Sequence, residues 1–153
     1  MALLNFREGT LKKIHKTALV RYQAIQMYNL VDDINSYADF LPWCSKSTVL
    51  TRSADSVDAS LEINYGKLHK SFTTRNFNTP HQAIEMTLLD GPFRHLHGKW
   101  TFTPLGDEGA RVELTLEFEF SSKLLDMTVG PVFSHIANSL VDAFTKRAQE
   151  VYA

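Results

Sequence analysis

Through the middle of this chain hydrophobic residues recur at every second position, and only at its end does the repeat become helical. The helical run spans Ser121 to Val151. Leu125, Val129, Val132, Phe133, Ile136, Leu140, Val141, Phe144, Ala148 and Val151 fall on one stripe, and Lys123, Asp126, Ser134, Asn138, Asp142, Lys146 and Glu150 occupy the other face. Such a stripe needs a partner surface, because fully burying each larger apolar side chain is worth about 1.5 to 3 kcal/mol. Ser121 or Ser122 supplies an N-cap. Gly130-Pro131 interrupts the run, and proline removes a backbone donor and crowds the preceding turn. The pattern therefore predicts a short first turn over Lys123 to Val129, a kink or break, and a main helix restarting with Pro131 at its first position.

Upstream, Leu11 to Val20 alternates as a strand, with Ile14, Ala18 and Val20 on one side. Ala24 to Val31 predicts a short helix with Ile25, Tyr28 and Val31 as its buried ridge, and a second turn follows through Ile34, Tyr37 and Phe40. The bend Phe40-Leu41-Pro42-Trp43-Cys44 ends it, since proline pushes the preceding residue towards extended geometry. Period two then takes over in Ser45 to Arg52, Val57 to Tyr65, Leu68 to Phe77, Gln82 to Leu89, Phe93 to Thr103 and Ala110 to Phe120. The turns between them are short and polar, Asp90-Gly91-Pro92 most clearly, which predicts an antiparallel meander. Strand, two short helices, strands and one long helix is an α+β order. A bent antiparallel sheet wrapped around the C-terminal helix leaves an apolar cavity between them.

Composition narrows the class. The 153 residues are 44% hydrophobic, enough for one domain with a real core. We expect residues 1–10 to be a loose arm and residues 11–153 a single domain. A net charge of −1 and pI near 6.6 give no global footprint for nucleic acid, and no DNA partner is expected. The one cysteine, Cys44, excludes an internal disulfide framework and suits a reducing, cytoplasmic setting. No apolar run reaches membrane-spanning length, so membrane contact is at most peripheral.

Candidate chemistry is sparse. His95 and His97 share a strand face, but no third ligand has diagnostic spacing, and the outward Glu113, Glu117 and Glu119 pair with them and Lys99 across strands. No metal site is predicted. The inward phases are almost wholly apolar, and Arg75, Glu85 and the histidines show no paired arrangement for acid–base work, so no catalytic residue and no enzyme activity are expected. Lys12, Lys13, Lys16 and Arg21 make the first strand locally basic, as lysines protecting an edge strand would.

Several segments carry a resemblance: Thr17-Ala18-Leu19-Val20, Tyr37 with Phe40-Leu41-Pro42-Trp43-Cys44, Phe72-Thr73-Thr74-Arg75-Asn76, Asp90-Gly91-Pro92-Phe93, Phe102-Thr103-Pro104-Leu105 and Ala143 to Ala148. On these the chain resembles the START-like, helix-grip proteins of the coenzyme Q-binding family, grouped with polyketide cyclase/dehydrase domains. It departs from them at Ala38, where proline is frequent, and at Pro131.

The resemblance implies a helix-grip fold and two roles of different class. One is non-enzymatic binding of ubiquinone or a similar polyprenyl lipid, in support of respiration, at or near the inner membrane. No cofactor is required; the lipid is the bound ligand. Its cavity is expected from Tyr37, Phe40, Leu41, Pro42, Trp43, Leu61, Ile63, Phe72, Met86, Leu88, Leu96, Trp100, Leu116, Phe118, Val129, Phe133, Ile136 and Leu140. The other, the alternative, is a toxin that binds the large ribosomal subunit and blocks subunit association, with Lys12, Lys13, Lys16 and Arg21 as contacts. A third, disfavoured role is a cyclase or dehydrase.

Overall fold

The alternating segments become neighbouring strands of one antiparallel sheet in a computed structural model that describes residues 11–153. The arm expected over residues 1–10 lies outside the described residues. In chain order the elements are β1 (Lys12–Val20), α1 (Ala24–Asp32), a 3₁₀ turn (Ile34–Ser36), α2 (Tyr37–Phe40), β2 (Cys44–Arg52), β3 (Ser56–Tyr65), β4 (Leu68–Thr79), β5 (Ala83–Asp90), β6 (Phe93–Leu105), β7 (Gly109–Phe120) and α3 (Lys123–Val151). The seven-stranded sheet runs β1-β7-β6-β5-β4-β3-β2, so the meander β2 to β7 is completed by the first strand pairing with the last. Short turns make consecutive strands neighbours, and the remote strand takes the open edge.

Register shifts at Cys44/Lys46, Val49/Thr51, Thr73/Thr74 and Phe93/His95 bend the sheet. β4 outruns β5, whose last residue Asp90 stands opposite Thr73, so Leu68 to Phe72 pair with β3 and form a projecting hairpin. That hairpin curls until the Tyr65 ring lies 6.3 Å from His135 on α3. The turn before β6 needs glycine: Gly91 has φ +149°, and a Cβ there would sit 2.7 Å from the Cβ of Phe72.

The long helix α3 packs chiefly over β1, β7 and α1. Ser122 is its cap, its hydroxyl accepting from the Leu125 N–H at 3.1 Å. The expected break at Gly130-Pro131 does not occur; the helix is continuous with Pro131 inside it. Pro131 and the residue whose carbonyl loses its donor, Met127, both lie on the exposed face. Water can satisfy that carbonyl, while Val129 and Phe133 on the buried face hold the helix down. Two further expectations change. In α1, Ile25 faces solvent and Met27 is fully buried in its place. Val151, expected on the buried stripe, is 48% exposed because it ends its helix.

Candidate functional site

Two aromatic clusters grip α3 three turns apart. Near the start of the helix Phe133 packs against Phe118 at 4.8 Å, Phe93 at 5.1 Å and Phe72 at 6.3 Å between ring centroids. Further along, Phe144 meets Tyr37 at 5.2 Å, Phe40 at 5.3 Å and Trp100 at 5.4 Å. Most of these pairs are edge-to-face, the arrangement the ring quadrupole favours. Between the clusters, under Ile136, Ala137 and Leu140, the side chains do not fill the space. A cavity of about 90 Å³ remains.

Of the residues expected from the sequence, Tyr37, Trp43, Leu61, Phe72, Met86, Leu96, Trp100, Leu116, Phe133, Ile136 and Leu140 line this cavity. Leu61, Phe72, Met86 and Leu140 are half-buried and mark where it comes nearest to solvent. The others lie elsewhere. Phe40 is held between Phe144 and the Arg147 guanidinium, 4.9 Å above its ring. Leu41 is buried in the bend, where its N–H donates to the Tyr37 carbonyl and its own carbonyl accepts from Cys44, and Pro42 is exposed. Ile63 is buried opposite Cys44, and Leu88 sits by Gly91 at the end of β5. Phe118 and Val129 belong to the solid packing around Phe133, beyond the end of the cavity.

The wall also holds residues not expected in it, Ile34, Ala59, Leu114, Ala137 and Phe144, and two that a search for inward apolar positions misses, Thr74 and Asn76. These two are buried polar residues, and the Thr74 hydroxyl donates to the Asn76 side-chain oxygen at 2.9 Å. Their signal is positional, since Phe72, Thr74 and Asn76 share one face of β4 at period two. Gly98 stands behind the wall. A Cβ there would come within 2.6 Å of Met86 and 2.9 Å of Leu116, both lining residues.

The chemistry of the wall is weak in acids and bases. Among the described residues no His, Asp, Glu, Lys or Arg lines the cavity. Tyr37 donates its hydroxyl to the Val31 carbonyl at 2.5 Å, and burial pushes its pKa well above the ordinary tyrosine value. Burial likewise pushes up the Cys44 thiol, whose Sγ lies 3.4 Å from the Lys46 carbonyl, a setting unlike that of a nucleophilic cysteine.

On the outer face His95 pairs with Glu117 at 3.4 Å and Arg94 with Glu119 at 3.6 Å. His97 turns instead to Glu85 on β5 at 2.9 Å, while Glu113 is taken by His15. Among the described residues no group of three His, Cys, Asp or Glu could hold a metal ion. Arg75 grips Asp58 through two hydrogen bonds, 2.8 and 2.9 Å, and holds its carboxyl below the usual range. The four cations expected as ribosome contacts do not converge. Lys12 and Lys16 share the face of Ile14 and Ala18, Lys13 points to the other, and Arg21 lies past the far end of β1. Among the described residues no helix is long and apolar enough to cross a membrane.

Comparison with known proteins places this geometry. Residues 20–145 match the family described as polyketide cyclase / dehydrase and lipid transport. The chain is 46% identical over 146 residues to the ribosome association toxin RatA of Escherichia coli K12, covering 95% of this chain and 92% of that one. It is 31% identical over 132 residues to the mitochondrial coenzyme Q-binding protein COQ10 homolog B of Xenopus laevis, covering 83% of this chain and 54% of that one. Among solved structures, the Zhui aromatase/cyclase of Streptomyces sp. R1128 superposes with a TM-score of 0.83 at 18% identity, over 94% of this chain and 96% of that one, a likeness of fold alone. Fold, cavity and matched span agree: the chain belongs to the polyketide cyclase / dehydrase and lipid transport family of START-like proteins.

Proposed function

We propose that this protein acts as its RatA relatives are named to act, associating with the ribosome, and that it does so by binding the large subunit and blocking its joining to the small one. The observation that carries this reading is the 46% identity to RatA over 146 residues, covering 95% of this chain and 92% of that one. The reading is non-enzymatic; among the described residues the cavity wall carries no His, Asp, Glu, Lys or Arg for acid–base work. Its cytoplasmic setting follows from the same partner. The test is sedimentation of the purified protein with separated ribosomal subunits, followed by subunit joining monitored by light scattering. Co-sedimentation with the large subunit and loss of joining are expected; an unbound protein that leaves joining intact ends the reading.

A second reading is supported by the cavity. An apolar pocket with one hydrogen-bonding pair, Thr74 and Asn76, suits a small apolar group bearing a polar end, such as part of a quinone or prenyl lipid. At about 90 Å³ it is smaller than the roughly 300 to 1,000 Å³ of sites for whole drug-sized ligands. A ubiquinone ring and tail enter only if Leu61, Phe72, Met86 and Leu140 move apart. Native mass spectrometry of the protein extracted from cells, together with melting in the presence of short-chain ubiquinone, tests this. A co-purified lipid or a raised Tm is expected, and absence of both removes the reading.

A further inference from the structure

With a net charge of −1, the chain has several exposed lysines that strand order, rather than sequence, places at one end of the sheet. The antiparallel order gathers at one end of the sheet the start of β1, the β3–β4 hairpin, the β5–β6 turn and the junction of β7 with α3. Lys13, Lys67, Lys70, Arg94 and Lys123, all exposed, are spread along that end, with Asp90, Glu119 and Asp126 among them. The opposite end carries Asp55 between β2 and β3, Asp107 and Glu108 between β6 and β7, and Arg21, Arg52 and Arg111. Within the first end the hairpin stands out. It projects past β5, and neither Lys67 nor Lys70 makes an ion pair among the described residues. Tyr65, 40% exposed at its tip, offers an aromatic face beside these lysines.

We propose that this end, led by the β3–β4 hairpin with Lys67, Lys70 and Tyr65, is the surface that docks on the phosphate backbone of ribosomal RNA. The proposal rests on the ribosomal reading and moves the contact from the β1 lysines to the hairpin. Lysines on a projecting turn reach phosphates that the flank of a sheet cannot, and an exposed aromatic ring beside them can stack on an unpaired base. The surface is built for phosphate neutralisation rather than base reading, so affinity should fall steeply with salt.

The experiment is binding of the whole protein to purified large subunits across a salt series. It compares wild type, a Lys67→Glu/Lys70→Glu variant, a milder Lys67→Gln/Lys70→Gln variant, and an Arg111→Glu/Lys146→Glu variant altered at exposed positions of the other end. Unchanged melting curves verify that each is folded. We expect about tenfold weaker binding for the glutamate pair, an intermediate loss for the glutamine pair, and a log–log salt slope less steep by about 2. The Arg111/Lys146 variant should stay within about twofold of wild type. Wild-type affinity in a folded Lys67→Glu/Lys70→Glu protein overturns the surface and leaves the ribosomal reading standing. A wild-type protein that does not bind subunits overturns the reading itself. Leu124 and Met127, each 70% exposed near the same end, make phosphatidylglycerol vesicles the necessary comparison. Lysine-dependent binding to vesicles that exceeds binding to subunits overturns RNA as the partner.

Discussion

Thr74 and Asn76, two residues apart on β4, hydrogen-bond to each other at 2.9 Å in the wall of an otherwise apolar cavity. Each satisfies part of the other's polarity, so removing one leaves a buried group without its partner, at a cost of about 1 to 3 kcal/mol. Asn76→Leu and Thr74→Val should each destabilise the protein by that amount. The double variant should cost less than the sum, because the stranded group is gone. Urea denaturation of the four proteins in a double-mutant cycle measures the coupling. Strict additivity would show that the pair contributes nothing as a pair.

Gly98 bears on the cavity differently, through the space it leaves. A side chain there must displace the Met86 Cε methyl and the Leu116 Cδ1 methyl, both in the wall. Gly98→Ala should cost about 1 to 3 kcal/mol by overpacking, and Gly98→Leu at least as much. The displaced groups have the cavity to move into. Any small apolar ligand that raises the Tm of the wild type should therefore lose that effect in Gly98→Ala, as calorimetry at fixed ligand would show.

Trp43 gives the opposite perturbation. It is 5% exposed and lines the cavity, so Trp43→Ala should lose about 3 to 5 kcal/mol and enlarge the space. An enlarged apolar void stays dry and takes up a probe such as benzene. Benzene should raise the melting temperature of Trp43→Ala more than that of the wild type. Equal shifts would mean that the neighbours have collapsed into the gap.

Tyr37 makes a prediction in pH. Unfolded, its hydroxyl ionises near pH 10, whereas in the fold burial holds the proton to higher pH. The unfolded state releases that proton first, so the contribution is whole below about pH 10 and is lost as pH rises further. Tyr37→Phe should cost about 1 kcal/mol at neutral pH through the lost bond to the Val31 carbonyl. The same change should flatten the alkaline fall in stability. Tyr28 and Tyr152, also raised by burial, keep part of the slope. Denaturant titrations between pH 7 and 11 decide it, and an unchanged slope would remove Tyr37 as its source.

What could be read from the sequence follows from where local pattern and tertiary environment coincide. Val112, Leu114, Leu116, Phe118 and Phe120 alternate cleanly because β7 has β1 on one side, β6 on the other and α3 above it, so every second residue is driven inward. Pro131 misleads because the cost of a helical proline depends on which face its orphaned carbonyl meets, and the sequence does not display that face. The Phe40-Leu41-Pro42-Trp43 bend shows its apolarity in sequence. Only packing decides that Trp43 reaches the cavity while Phe40 goes to Arg147. Thr74 and Asn76 escape any reading that equates inward with apolar. Lys67, Lys70, Arg94 and Lys123 are scattered along the chain and only strand order brings them to one end of the sheet, whereas the denser lysines of β1 are split between two faces.

The pairing of β1 with β7 also governs when the chain can fold. His15 and Glu113, which meet across that seam, are 98 residues apart, whereas every other strand pairs with one made immediately before or after it. During synthesis the meander can assemble hairpin by hairpin, but β1, the first strand made, must wait for the last, and α3 emerges later still. Closing so long a loop is a non-local step of the kind that slows folding. The cavity has no lid until that helix has emerged, so the site is completed only after residues 123–151 have left the ribosome.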